Sequence, residues 1–167
     1  RRLSSAASDV YKRQLIKILE DIMEKNPNKF RLVKSPEEIT NDKDIMQVVY
    51  GMENGAPIES KLSNIKLFSD MGINYITLAH SKSNHISDSS YDENKNWGGL
   101  SPFGREVVAE MNKQGVMIDI SHVSDAAFYE VLRLTKTPVI ASHSSLRHFV
   151  PGFERNVSDD MLRELAK

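Results

Sequence analysis

The sequence predicts an α/β fold, a parallel sheet under helical cover. Three observations lead there. Short apolar runs alternate with amphipathic stretches along most of the 167 residues, the pattern of successive βαβ units. Two consecutive runs end in histidine, VMIDISH (116–122) and PVIASH (138–143). One helix-length segment, DAAFYEVLRLT (125–135), separates them. A strand, a crossover helix and a second strand bring both histidines to the same end of the sheet. That end carries the chemistry in doubly wound sheets and in (β/α)8 barrels alike, and both architectures fit this order. A complete barrel needs about 250 residues, so on the barrel reading the chain is a partial barrel.

The elements follow in order. Residues 1–14, RRLSSAASDVYKRQ, are basic and polar and lack the apolar segment of a secretory signal. They read as a non-native or disordered leader, with a single domain over 15–167. LIKILEDIMEKN (15–26) has helical spacing, with Leu15, Ile18, Leu19 and Ile22 on one face. FRLVK (30–34) reads as a strand, and SPEE (35–38) as a helix start with Ser35 as N-cap and Glu38 completing a capping box. DIMQVVYGME (44–53) has little alternation, as in a strand covered on both faces. ESKLSNIKLFSDMG (59–72) is amphipathic, and INYITLAH (73–80) is the next strand. A polar loop over 81–100 is long enough to suggest function. SPFGREVVAEMNKQG (101–115) is a helix opened by Ser101 and closed by Gly115. After VMIDIS, the helix from Asp125 and PVIAS comes a second irregular stretch (143–157), then a helix capped by Ser158.

Composition narrows the chemistry. A net charge of −1 gives no basic surface for nucleic acid. No apolar run is long enough to span a bilayer. With no cysteine, disulfides and thiolate metal sites are excluded. Any metal must be held by His, Asp and Glu, which suits zinc or another divalent ion.

Period-two alternation of strand side chains supplies candidates. Gly51 and Glu53 share one face; Ile76, Leu78 and His80 another; then Ile118, Ile120 and His122, and Val139, Ala141 and His143. On this parity each polar end residue surmounts small or apolar partners, as in a barrel interior. Glu53, His122 and His143 are then a candidate oxygen/nitrogen ligand set, the type found in catalytic sites. By the same parity Asp119 faces away from the cavity, to orient a ligand histidine or to bond a helix N-terminus.

These stretches resemble the membrane (renal) dipeptidase family of zinc peptidases. The resemblance is carried by YITLAHSKSNHISDS (75–89), GLSPFGREVVAEMNKQGVMIDISHVS (99–124), PVIASHSSLR (138–147) and RNVSDDML (155–162), and more loosely by YGMENG (50–55). It implies an incomplete (β/α)8 TIM-type barrel and a site that holds two Zn2+ ions when complete. Position by position, it implies that Glu53 bridges the two metals and that His122 and His143 bind the second. His80 would face the substrate and stabilise the oxyanion. Arg155 would bind the carboxylate of a dipeptide substrate with a free C-terminus. The family's first-strand His-x-Asp pair, which ligates the first zinc, occurs nowhere in this chain. A later aspartate that serves proton transfer lies beyond Lys167. The expectation is a zinc-dependent dipeptidase whose 167-residue piece is inactive or nearly so. The rivals are a related metal-dependent amidohydrolase and a non-catalytic metal- or partner-binding barrel domain.

Other polar residues are read more plainly. His85, Arg147 and His148 belong to surface loops, Trp97 to packing, and Asn84 and Asp88 to local turns as much as to the family's loop pattern. The open edges of a partial barrel favour pairing with another copy.

Overall fold

The computed structural model describes residues 5–167; the first four residues of the leader expected over 1–14 lie outside them. Helix α1 (Ser5–Glu24) begins well before Leu15. It docks through Ile16, which is buried, and Met23. The expected stripe of Leu15, Ile18, Leu19 and Ile22 is exposed instead. Among the described residues no helix is long and apolar enough to cross a membrane.

The run 44–53 is two strands, not one. Strand β1 (Phe30–Leu32) pairs in parallel with β2 (Met46–Val48). After Val49 the chain passes to a second sheet as β3 (Tyr50–Glu53). The expected capped helix at 35–38 is a single 3-10 turn without a side-chain cap from Ser35. Glu38 accepts from the backbone N–H of Lys34 at 2.9 Å instead of closing a capping box.

The second sheet holds the site. Strand β3 is followed by helix α2 (Ser63–Asp70), β4 (Ile73–Thr77), α3 (Pro102–Gln114), β5 (Met117–Asp119), α4 (Asp125–Leu134), β6 (Val139–Ile140) and α5 (Asp159–Leu165). The strands are all parallel, in the order β3-β4-β5-β6. Consecutive order with a helix in every crossover is how a (β/α)8 barrel winds; a doubly wound sheet reverses direction at a switch point. The structure is thus an arc of barrel. Every strand in it runs the same way, so four strand ends open on one mouth.

Register fixes which face is which. Met52, Ile76 and Ile118 are paired neighbours, all buried. They pack with Ile65, Phe68, Val107, Met111, Phe128 and Val131 of the helices. The opposite face carries Gly51, Tyr75 and Met117, then Glu53, Thr77 and Asp119.

Helix ends obey the sequence. Ser101 accepts from Gly104 N at 2.8 Å, Ser124 from Ala127 N at 3.2 Å and Ser158 from Met161 N at 3.2 Å. Gly115 closes α3 at φ +70°, a left-handed conformation that costs glycine nothing. Gly104 has a different reason. A Cβ there would lie 2.1 Å from the carbonyl oxygen of Ile86 and 3.0 Å from its carbon. Both are backbone atoms and cannot swing aside. Helix propensity alone would favour Gly104→Ala by about 1 kcal/mol, yet overpacking at such a contact costs about 1–3 kcal/mol. Gly104→Ala is therefore expected to lower the denaturation midpoint, and an unchanged or raised midpoint in urea would contradict the packing described here.

Candidate metal centre

Glu53 is the last residue of β3. His80, His122 and His143 each lie three residues beyond the end of their strand, after Thr77, Asp119 and Ile140. Strand parity therefore does not aim them. On β4 and β5 the residues expected beneath the histidines, Ile76 and Ile118, face the helices, while Thr77 and Asp119 share the face of Glu53. The expectation that Asp119 points away from the cavity side is corrected by this register. The histidines reach the mouth through irregular backbone.

That backbone is held at specific points. Asn84 Nδ2 donates to the Leu78 carbonyl at 2.8 Å, and Ser89 Oγ donates to the His80 carbonyl. The His122 carbonyl accepts from Ser90 N at 2.8 Å and Ser90 Oγ at 3.0 Å. His122 itself sits at φ +69°, a conformation that costs a non-glycine residue about 1–3 kcal/mol and clusters at functional sites. Asp119, fully buried, accepts four hydrogen bonds. Its Oδ2 takes Thr77 Oγ1 and Ser142 Oγ, both at 2.6 Å, and its Oδ1 takes the N–H of Ser121 and of Ser142, both at 3.0 Å. Burial pushes the Asp119 carboxyl up; these four donors outweigh it and hold it below the usual carboxylate range. Of its two expected roles, a bond to a helix N-terminus is not found among the described residues.

The three candidate ligands and His80 converge. Glu53 Oε1 lies 3.2 Å from Nε2 of His80, 3.2 Å from Nε2 of His122 and 3.0 Å from Nε2 of His143. His122 Nε2 and His143 Nε2 are 2.8 Å apart. Among the described residues, Glu53, His80 and His122 also bring ligand atoms within 4.8 Å of one another. Two ligands bound at about 2.0–2.1 Å and a tetrahedral angle stand about 3.3 Å apart, so this spacing fits a shared cation. Burial pushes the His122 imidazole down to about 4, helped by the positive charge of Arg155 nearby. Its ring is thus neutral at ordinary pH, as a ligand must be. Among the described residues its Nδ1 is buried without a hydrogen-bond partner, which leaves Nε2 as the working atom. With no cysteine, the donor set is purely oxygen and nitrogen, suited to a divalent ion.

Arg155 is buried beside the cluster. It donates from Nη1 to Ser144 Oγ at 2.8 Å and from Nη2 to the His143 carbonyl at 2.7 Å. Burial pulls its pKa below the usual arginine value, while Tyr91, Asp119 and Glu53 oppose that. Tyr91 packs its ring 5.9 Å from that of His122 and 5.8 Å from Phe153.

The other polar residues divide. His85 stays out of the cluster: it bonds the Glu59 carbonyl and stacks on Phe103 at 5.5 Å. Arg147 is not a free surface residue; it forms a two-pronged pair with Asp125, both bonds 2.7 Å, and binds the Asn156 carbonyl. Trp97 Nε1 donates to the Asn84 carbonyl at 2.8 Å. Asp88 is a buried hub whose carboxylate takes the N–H of Asn96, Trp97 and Gly99. Parity put Asp119 on the wrong face while leaving it the role of orienting a ligand histidine, and it gave no part to Ser142. The serine directly before each of His122 and His143 was the available signal.

Comparison with known proteins gives the family. The model of the membrane dipeptidase family, Peptidase family M19, matches residues 5–167. Dipeptidase tcpJ of Claviceps purpurea is 35% identical over 162 residues, covering 92% of this chain and 36% of its own length. Dipeptidase 3 of Mus musculus is 34% identical over 140 residues, 81% of this chain and 28% of its own. The crystal structure of an amidohydrolase from Pseudomonas aeruginosa superposes with a TM-score of 0.83 at 30% identity, covering 90% of this chain and 46% of that one. The chain thus spans about a third of the length of the curated relatives it matches. The family and the donor cluster together support a metal ion at this mouth. The chain belongs to the membrane dipeptidase family, Peptidase family M19.

Proposed function

We propose that these residues form the zinc-binding part of a dipeptidase site. One observation carries the reading: three imidazole Nε2 atoms converge on a single carboxylate oxygen, within 3.0–3.2 Å, at the C-terminal mouth of a parallel barrel arc. His122 and His143 would hold Zn2+ together with Glu53. Zinc so held supplies Lewis acidity, polarising a carbonyl and lowering the pKa of water.

The remaining roles belong to the protein. Arg155 offers a planar cation to the free C-terminal carboxylate of a dipeptide. Its bonds to Ser144 and the His143 carbonyl hold that cation beside the ligand segment. His80 is half-exposed and leans over His122, ring centroids 4.4 Å apart. From there it donates a hydrogen bond to the oxygen that gains charge as the peptide carbonyl becomes tetrahedral. The amidohydrolase among the structural relatives keeps acyl-amino acids and lactams in the substrate panel, since Arg155 suits any carboxylate-bearing amide.

Calorimetric titration of the purified chain with Zn2+ tests the ligand roles. Glu53→Ala, His122→Ala and His143→Ala are each expected to weaken binding by more than the roughly 10–100-fold that loss of an outer hydrogen-bond partner costs. His80→Ala is expected to keep the affinity. Equal losses for His80→Ala and His143→Ala would overturn the division. No His-x-Asp pair occurs in the 167 residues, so the purified chain with added zinc is expected not to turn over dipeptides. Robust turnover in a ninhydrin or coupled amino-acid assay would place a working site within these residues alone.

A further inference from the structure

We propose that Asp119 and Ser142 form a positioning relay that locks the His143 ring in its Nδ1–H tautomer, with the Nε2 lone pair turned toward Glu53 and His122. The inference goes beyond the ligand assignment and rests on it only for the consequence in metal affinity.

The available protons decide the tautomer. Asp119 is fully buried and its carboxylate oxygens only accept. Oδ1 is taken by two backbone N–H groups, of Ser121 and Ser142. Oδ2 takes two hydroxyls, of Thr77 and Ser142, each at 2.6 Å. The Ser142 hydroxyl has one proton, and this short bond uses it. Yet Ser142 Oγ also lies 2.7 Å from His143 Nδ1. With its proton committed to Asp119, the hydroxyl accepts there, so Nδ1 must donate. A neutral imidazole protonated at Nδ1 carries its lone pair at Nε2. That lone pair faces Glu53 Oε1 at 3.0 Å and His122 Nε2 at 2.8 Å, acceptor contacts that a cation shared among these atoms would relieve.

Free imidazole side chains favour the opposite, Nε2–H tautomer, which presents a proton to a metal. The relay removes that competition and fixes the ring plane. The backbone N–H of His143, bonded to Ser121 Oγ at 3.2 Å, holds the same residue from the other side. His80 lacks this arrangement. Its Nδ1 partner, Ser81 Oγ at 2.9 Å, has no buried carboxylate behind it among the described contacts.

Two measurements on the 15N-labelled chain test the relay: long-range 1H–15N correlation of the histidine rings without metal, and calorimetric titration with Zn2+. The wild-type chain is expected to show His143 protonated at Nδ1. Ser142→Ala is expected to move His143 toward Nε2–H and to weaken Zn2+ binding about 10- to 100-fold with the fold intact; Ser142→Thr is expected to restore both. Asp119→Asn gives a sharper signature. Its carbonyl would stay on the backbone N–H groups, its NH2 would donate to Ser142, and the hydroxyl proton would turn to Nδ1, driving His143 to Nε2–H. A merely structural role predicts no such reversal. An Nε2–H ring in the wild-type chain, or an unchanged tautomer and affinity in Ser142→Ala, overturns the relay. A wild-type chain with the Nδ1–H ring that takes up no Zn2+ upholds the relay and contradicts the metal reading instead.

Discussion

Asp119 accepts four hydrogen bonds in a place fully shielded from solvent, and three of the four site residues depend on where those bonds go. Thr77 is the last residue of β4 and leads to His80; Ser121 directly precedes His122; Ser142 directly precedes His143. One carboxylate therefore ties the ends of three adjacent strands just where the ladder between them stops. Burying an ionised carboxylate is costly unless every lone pair is engaged. Here the strand-end hydroxyls and N–H groups engage it. Each donor removed would leave an imperfectly satisfied buried charge, at about 1–3 kcal/mol. The folded-state pKa of Asp119 is depressed, so its contribution to stability is present above the unfolded carboxylate value and fades as pH falls below it.

Two irregular segments close over these strand ends. Residues 81–100 are organised by Asp88 and Asn84, and Ser90 fastens them to the His122 carbonyl. Residues 143–157 are organised by Arg147, which clamps the start of α4 through Asp125 and gathers the carbonyls of Glu154 and Asn156. Lys95 and Glu154 join the two segments at 3.1 Å. The long loop keeps its shape because internal carboxylates and amides satisfy its backbone, which is what a buried loop requires. The strained backbone of His122 persists because Ser90 on one side and Asp119 on the other leave it no alternative.

The residues that meet at the mouth were legible in the sequence, but the reason they meet was not. Glu53, His80, His122 and His143 do converge. Strand parity had them stacked above Ile76, Ile118 and Val139, whereas the strands stop three residues short and irregular backbone delivers the imidazoles. Parity arguments assume that a strand continues to its last apolar residue. Here Asp119 replaces the ladder with side-chain bonds, and no periodicity records that. The same limit explains 44–53: the run shows little alternation, so nothing in it marks Val49 as the point where the chain changes sheets. The Ser101 and Ser158 caps and the closing Gly115 were legible because capping is local. At 35–38 the capping box does not form: Ser35 bonds the Glu37 carboxylate, and the Glu38 carboxylate takes the Lys34 N–H.

The central claim is that His122 and His143 bind a metal through Nε2, together with Glu53. Anomalous diffraction from crystals of the zinc-loaded chain tests it most directly. The account predicts one peak about 2.0–2.2 Å from both Nε2 atoms and from a Glu53 carboxylate oxygen. A peak on Nδ1 of either ring, or zinc held elsewhere on the chain with this cluster bypassed, would contradict it.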